Sequence, residues 1–492
     1  MTDRKWITAA CGLAATTVLI GCGGSGGSST GGTTAGIDGT GSPSPIAVVS
    51  AGTVTGFGSV IVNGVRFETA SASFTIDGQP GTQSELAVGD FVIVKGELDD
   101  NDSSQGTAQS ITFDDVVEGP IAAVDSLTST LTVLGQTVHV TPDTSFDDSI
   151  QPQSLAGFAV NDVVEISGLV ASDGSVTATR IEPKLNAVEF ELTGLVVNHN
   201  GVDMTFNINS QIIDYSSAML MDFDNGMIDD GDLVEVRAST VLGGNGELLV
   251  TRVEFKGEAI SGDNGDLAEL EGFITRFNGI TDFDVAGFPV TTSGNPLIEG
   301  GIVADLGLDI KVEVEGSLEG GVLVATKIDI RRSNAVRAIA LVDSVNAANS
   351  SFVMLGITIK VDTQTRLEDK STLDVETFSI ADLTVSDYVE VRGIEFPADS
   401  GEILAGRLER EDVDNNTELQ GFVEVGSVAD PSFSILGVSV ATNGSTVFRD
   451  INDVVIDSAT FFATAEGQLV KVDGTEITDT AISANQVEFE NQ

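Results

Sequence analysis

The chain has 492 residues, with 23 Lys+Arg against 75 Asp+Glu (net charge −52), 55 Gly, and only 2 Cys, 2 His, 2 Tyr and 1 Trp. That balance excludes a nucleic-acid binder, because phosphate contacts need clustered Lys and Arg. A hydrophobic fraction of 41% with a mean hydropathy of +0.18 excludes a disordered acidic tail, and the length allows several domains.

At the start, Arg4 and Lys5 precede a mostly apolar run, Ile7 to Ile20, that ends in Leu19-Ile20-Gly21-Cys22. A basic segment, a short apolar segment and a small residue at the cleavage point make a secretory signal. The run is shorter than the ~18 apolar residues of a spanning helix. Leu-Ile-Gly-Cys resembles the lipobox of bacterial lipoproteins. The resemblance implies cleavage after Gly21 within a signal peptide of residues 1–21, a lipid on the sulfur of Cys22, and an acylated amino terminus. Membrane contact is then through that lipid. Gly23 rather than Asp follows the cysteine, which implies the outer membrane, facing the periplasm or the cell surface. Cys11 and Trp6 leave with the signal, so the mature chain has no free thiol and no internal disulfide.

Residues 22–45 are rich in Gly, Ser and Thr without apolar periodicity and read as a flexible tether. The tether contains GxGxxG and GxSxG matches at Gly21–Gly26 and Gly23–Gly27. Neither follows a strand or opens a helix, as phosphate binding or a nucleophile elbow requires.

The remainder is one unit written six times. A segment of the form Leu-x-x-Gly-Asp-x-Val-x-Val-x-Gly recurs at Leu86–Gly96, Phe158–Gly168, Ile228–Ala238, Leu306–Gly316 and Leu383–Gly393, with a degenerate copy at Ala465–Gly474. Upstream of most copies lies an apolar strand pair hinged on Gly, as at 133–140 and 354–361; downstream lies a closing strand, as at 177–182 and 324–330. Opening strands begin near Gly52, Gly119, Gly194, Gly272, Ala338 and Gly421. The units are 46–118, 119–187, 188–267, 268–334, 335–416 and 417–492.

In Ile310–Glu315 apolar residues alternate with charges, which predicts a strand with one face inward and one in water. The Gly-Asp or Asn-Asp pair before it is turn chemistry, and the terminal Gly marks a strand end or a bulge. Short helices are expected only within Ile150–Phe158 and Leu373–Leu383. About five short strands in roughly 70 residues predict an all-β chain of six tandem small Greek-key, OB-like barrels, with a generic β-sandwich as the alternative. Short joints such as 114–118 predict a semi-rigid row, hinged at Gly257–Leu270. The lipobox, the tether and the repeated LGxxVxV … LxVGDxVEVxG … ATRIE pattern together resemble bacterial repeats grouped as domain-of-unknown-function family 5666. The resemblance covers nearly all of 46–492, closest in copies one, two and five, and implies architecture without an activity.

The chemistry is narrow. His139 lies in a predicted strand and His199 in a turn; neither recurs in other copies, and each reads as an ordinary strand or surface histidine. Phe67, Phe91, Phe352 and Phe433 fall at strand positions and read as core. Haem, iron–sulfur and zinc sites lack their Cys and His ligands. Hard cations take oxygen ligands, and D-x-D spacings make Asp100, Asp102, Asp222, Asp224, Asp412 and Asp414 the candidate calcium ligands. None completes an EF-hand: the twelfth loop position after Asp222 or Asp412 is Leu233 or Val423. The sequence therefore predicts a non-enzymatic, lipid-anchored envelope protein without a cofactor, acting as spacer or scaffold for an unidentified protein partner. A calcium-dependent surface binder or adhesin is the alternative, and a polysaccharide-acting enzyme the remote one. The surplus of carboxylates suits a saline medium, where screening weakens their repulsion.

Overall fold

The computed structural model describes residues 46–490 except 100–101, 127, 142, 186, 188, 224–225, 240–241, 245, 258–259, 332–335, 363–364, 376, 398–399, 415 and 452–453. Gly21, Cys22 and the tether lie outside the described residues, as do Asp100 and Asp224. Among the described residues no helix is long and apolar enough to cross a membrane.

Local sterics write each repeat. The left-handed position of the Gly-Asp turn is occupied in all six copies, by Gly89 (φ 101°), Asn161 (75°), Gly231 (98°), Asp309 (61°), Ser386 (74°) and Gly467 (73°). In four copies the following aspartate closes the turn: Asp90, Asp162, Asp232 and Asp387 each accept the backbone N–H three residues earlier at 2.7–2.9 Å. The glycine that ends the motif is a β-bulge. The ladder shifts at Gly96, Gly168, Gly316, Gly393 and Gly474, and at Ala238 in the third copy. A Cβ on Gly316 would lie 2.2 Å from the Val324 carbonyl oxygen, so the bulge holds the facing backbone too close for a side chain.

A second coupling joins the opening strand to the next hairpin. The tips Leu134-Gly135, Leu355-Gly356 and Leu436-Gly437 have positive φ at both residues (43° and 73°, 50° and 71°, 51° and 78°), as two-residue primed turns demand. Leucine is strained there, but Leu134 and Leu355 are buried. Gly119 makes room for Leu134, since a Cβ on it would lie 2.5 Å from Leu134 Cγ.

These devices close small barrels. In the first, strands Ile46–Gly56, Val60–Val62, Val65–Glu68, Phe91–Asp99 and Asp102–Phe113 run in the order one-two-three-five-four and back to one. Only the third and fifth pair in parallel. The other five repeats use the same order, opening at Val117, Glu189, Leu267, Val336 and Thr417. This is the Greek-key, OB-like barrel predicted for each unit. The two expected short helices are single 3-10 turns, Leu155–Gly157 and Ile380–Asp382, and the sixth barrel carries an α-helix, Ser458–Thr464. Phe67, Phe352 and Phe433 are core residues, whereas Phe91 is half-buried against the core of the fourth barrel.

The barrels do not form a row in chain order. The first pairs with the fourth, through a parallel ladder from Val48↔Leu267 to Ala51↔Leu270. The second pairs with the third at Glu191↔Glu118 and Leu192↔Val117, and the fifth with the sixth from Arg337↔Gln420 to Ile339↔Glu418. Each of the last two pairs shares one continuous apolar core. The second and third barrels are thus inserted between the halves of another pair, and Pro45–Gln492 forms one unit. The expected hinge is packed instead: Ile260 is buried in the core of the fourth barrel, and Ser261 Oγ accepts from Lys95 Nζ at 3.0 Å. Apolar Ile260 within a polar segment is the residue that fixes it.

Candidate functional site

Several outward side chains of the repeat are withdrawn from water. Glu165, in Val-Glu-Ile, and Glu235, Glu313 and Glu390, in Val-Glu-Val, are the acidic residues of equivalent strands, and each is 8% exposed or less. Glu235 takes Arg252 at 2.8 Å, Lys256 at 2.7 Å and Arg237 at 2.7 Å; Glu313 takes Arg331 at 3.0 Å; Glu390 takes Arg337 at 2.8 Å. Buried charges persist where such partners replace water.

Four barrels, the first, second, fourth and fifth, surround a chamber of about 1170 Å³. Glu271 lies in its wall. Its Oε2 accepts the Thr53 N–H at 2.7 Å and its Oε1 pairs with Lys311 at 2.6 Å. Arg366 and Arg407 of the fifth barrel cross to the second, donating to the Asp143 and Thr144 carbonyls at 2.8 and 3.2 Å. The four wall cations Lys311, Arg331, Arg366 and Arg407 therefore each hold an acid or a carbonyl. The chemistry on display is ion pairing within the fourth and fifth barrels and arginine-to-carbonyl hydrogen bonding from the fifth to the second.

These groups set a pH dependence. Burial raises Glu271 and Glu390, but Lys311 beside the first and Arg392 and Arg337 beside the second hold each at about 2. Burial outweighs Arg180 at Asp90 and Arg331 at Glu313, so both are raised to about 7. Lowered groups stabilise the fold above their ordinary value and lose that contribution as pH falls. Raised groups bind protons more tightly folded than unfolded, so stability falls as pH rises toward their folded value. The thermal midpoint is expected to be highest near pH ~5 and to decline on both sides. Glu313→Gln, which mimics the protonated form, should flatten the decline between pH ~5 and ~8. A midpoint rising steadily to pH ~8 in the wild type would contradict this assignment.

Of the aspartates picked out by D-x-D spacing, Asp412 and Asp414 serve as hydrogen-bond acceptors. Asp412 takes the N–H and hydroxyl of Thr372 at 3.0 and 3.1 Å; Asp414 takes the Tyr388 hydroxyl at 2.9 Å and the Asn416 N–H at 2.7 Å. Asp222 sits in a turn at φ 60°, and Asp102 opens the fifth strand of the first barrel. His139 is exposed, and His199 shares a 2.7 Å hydrogen bond with the Tyr215 hydroxyl.

Among the described residues, carboxylates converge elsewhere. Oxygens of Asp77, Asp115 and Glu191 lie within 4.8 Å of one another, and so do those of Asp115, Glu118 and Glu165. A third, more exposed group is Asp343, Glu476 and Asp479. Burial raises Asp115 well above the carboxylate range, and Glu165, Glu191, Asp77 and Glu118 push the same way. No spacing in the sequence marks this cluster, because its members come from three barrels.

The sequence profile of the family described as Domain of unknown function (DUF5666) matches residues 47–112, 118–182, 271–329, 340–409 and 420–488. The third barrel falls between matches. It has Ala238 at the bulge, an opening strand broken at Val196, and Asn209-Ser210 where other hairpins carry a glycine. No curated protein matches the chain. With five matches spread over most of its length, the chain belongs to the domain-of-unknown-function family 5666.

Proposed function

We propose that this protein is a lipid-anchored, non-enzymatic body of the bacterial outer membrane that acts as a spacer or protein-interaction scaffold. The observation that carries the reading is the fixing of the strand that follows the tether. Ile46–Gly56 is bonded on one side to Phe91–Asp99 and on the other to the fourth barrel. A load applied through residue 46 would enter two ladders at once, which suits a tethered scaffold. The Leu-Ile-Gly-Cys segment supports the anchor, and the ladders and the Arg180–Asp90 and Arg337–Glu418 pairs between barrels support a body of fixed shape.

Cys22→Ala tests the anchor. The wild-type protein should incorporate labelled fatty acid and sediment with membranes, and the variant should do neither. A variant that still sediments with membranes, alongside a wild type without label, would overturn lipidation at Cys22. A second reading, a calcium-dependent surface binder, draws on the carboxylates gathered around Asp115.

A further inference from the structure

Asp115 lies in the link between the first and second barrels, threaded where the third also meets them. The neighbouring Val116 N–H donates to Ile166 O of the second barrel at 2.9 Å, and Val116 O accepts from Thr193 of the third at 2.9 Å. Asp115 is 4% exposed, and among the described residues neither of its carboxylate oxygens has a hydrogen-bond partner. Buried polar atoms in folded proteins almost always have partners, so two orphan oxygens on one carboxylate require an explanation. Both oxygens belong to a side chain that points into other acids. Asp77, also with a buried unpartnered oxygen, enters from a hairpin tip of the first barrel, and Glu191 from the opening strand of the third.

The seam adds a second observation. Glu118 and Glu191 face one another directly across the ladder that joins the second and third barrels. Like charges in directly opposed positions are destabilising unless something neutralises them. Five carboxylates, Asp77, Asp115, Glu118, Glu165 and Glu191, gather here. The close cations are Lys184, paired with Glu165, and Arg237, paired with Glu191. Negative charge is left over at a largely buried site.

We propose that this junction is a structural calcium site, with Asp77, Asp115 and Glu191 as its carboxylate ligands. Calcium takes oxygen ligands at 2.3–2.6 Å, so oxygens on opposite sides of the ion lie about 4.6–5.2 Å apart. The mutual limit of 4.8 Å among these three side chains fits within such a sphere. Each ligand comes from a different segment: the first barrel, the link and the third barrel. The ion would therefore lock the first barrel onto the second–third pair. The competing explanation is a proton shared among the carboxylates, which would neutralise Asp115 without any metal.

The inference deepens the calcium reading and does not depend on the anchor, so its failure leaves the Cys22 result untouched. The test uses the full chain, with metal content measured by mass spectrometry and the thermal midpoint recorded in EDTA, in calcium chloride, and in sodium chloride of equal ionic strength. The expected result is one calcium per chain and a saturable midpoint rise that sodium chloride does not reproduce, as for a ligand held by the native state. Asp115→Asn should lose the bound ion and the calcium-dependent rise, and Asp77→Asn should weaken binding at least tenfold. Asp412→Asn should bind as the wild type does. Equal shifts in both salts with no bound calcium would overturn the proposal. So would calcium retained by both Asp115→Asn and Asp77→Asn. A metal-free wild type in which Asp115→Asn raises the midpoint in every buffer would assign the site to the shared proton instead.

Discussion

Gly316→Val is expected to destabilise the fourth barrel by about 3 kcal/mol, the range for forcing atoms into a filled space. At this bulge a Cβ would lie 2.2 Å from the Val324 carbonyl oxygen, 2.8 Å from its carbon and 3.0 Å from Ala325 Cα. All three are backbone atoms of the neighbouring strand, so no side-chain rotation can relieve the contact. The third barrel carries Ala238 at the same bulge, which shows that one methyl is accommodated when both strands are spaced for it. Valine adds two branches to a site without that spacing. Because the fourth barrel is laddered to the first, amide exchange should quicken in both. Gly307→Ala is the control, since a Cβ there meets nothing within 4 Å. A valine variant with the wild-type midpoint and exchange pattern would show that the bulge does not constrain the barrel.

Asp369→Ala should cost about 3–5 kcal/mol, the usual penalty for removing one partner of a buried ion pair. The Asp369 side chain is fully buried. It takes Arg410 Nε at 3.0 Å and also Nη2, the Ser371 N–H at 3.1 Å and hydroxyl at 2.6 Å, and the Val375 N–H at 2.9 Å. Arg410 is equally fixed, with its guanidinium 4.9 Å from the centre of the Phe378 ring and Nη1 donating to Asp382 O at 3.2 Å. Truncation leaves that cation with only the more distant Asp387, at 3.7 Å, as its acid and strands three other donors. Burial opposes the charge on Asp369, yet Arg410, Ser371 and Val375 hold its carboxyl far below the ordinary range. Its stabilisation is therefore complete above the ordinary value and is lost as pH falls. The gap between wild type and variant should be full at pH ~7 and narrow steadily below pH ~4. A gap of constant size across that range would mean that lost packing, not the ion pair, is responsible.

Much of the single barrel was legible because its signals are local. Gly89, Asn161 and Gly231 stand where the chain must turn left-handed, and Gly96, Gly168 and Gly393 where a neighbouring backbone comes too close for a side chain. Such constraints act within one strand and its partner, so they recur with the repeat. The alternation at Ile310–Glu315 also separated the apolar side chains from the charged ones correctly. It placed Glu313 in water, however, and Glu313 is 2% exposed beside Arg331. Alternation distinguishes the inside of a barrel from its outside; it carries no information about what the outside touches.

The candidate calcium site illustrates the same limit. D-x-D spacing drew attention to Asp412 and Asp414, whose carboxylates accept from Thr372, Tyr388 and Asn416. Asp77, Asp115 and Glu191 have no common spacing, since they converge only after three barrels have docked. Pairing between barrels was equally hidden. The ladder from Val48↔Leu267 joins residues 219 positions apart at Ser50 and Glu269, past two complete intervening repeats.

By itself, then, the sequence determined the all-β class, the repeated OB-like barrel, its turns and bulges, and membership of a repeat family, because backbone sterics and side-chain alternation operate over a few residues. The tertiary structure alone decided which barrels pair, which glutamates lose their water and where carboxylates gather. Those outcomes depend on the fit between finished surfaces, and six copies of one repeat offer many similar surfaces among which local sequence does not choose.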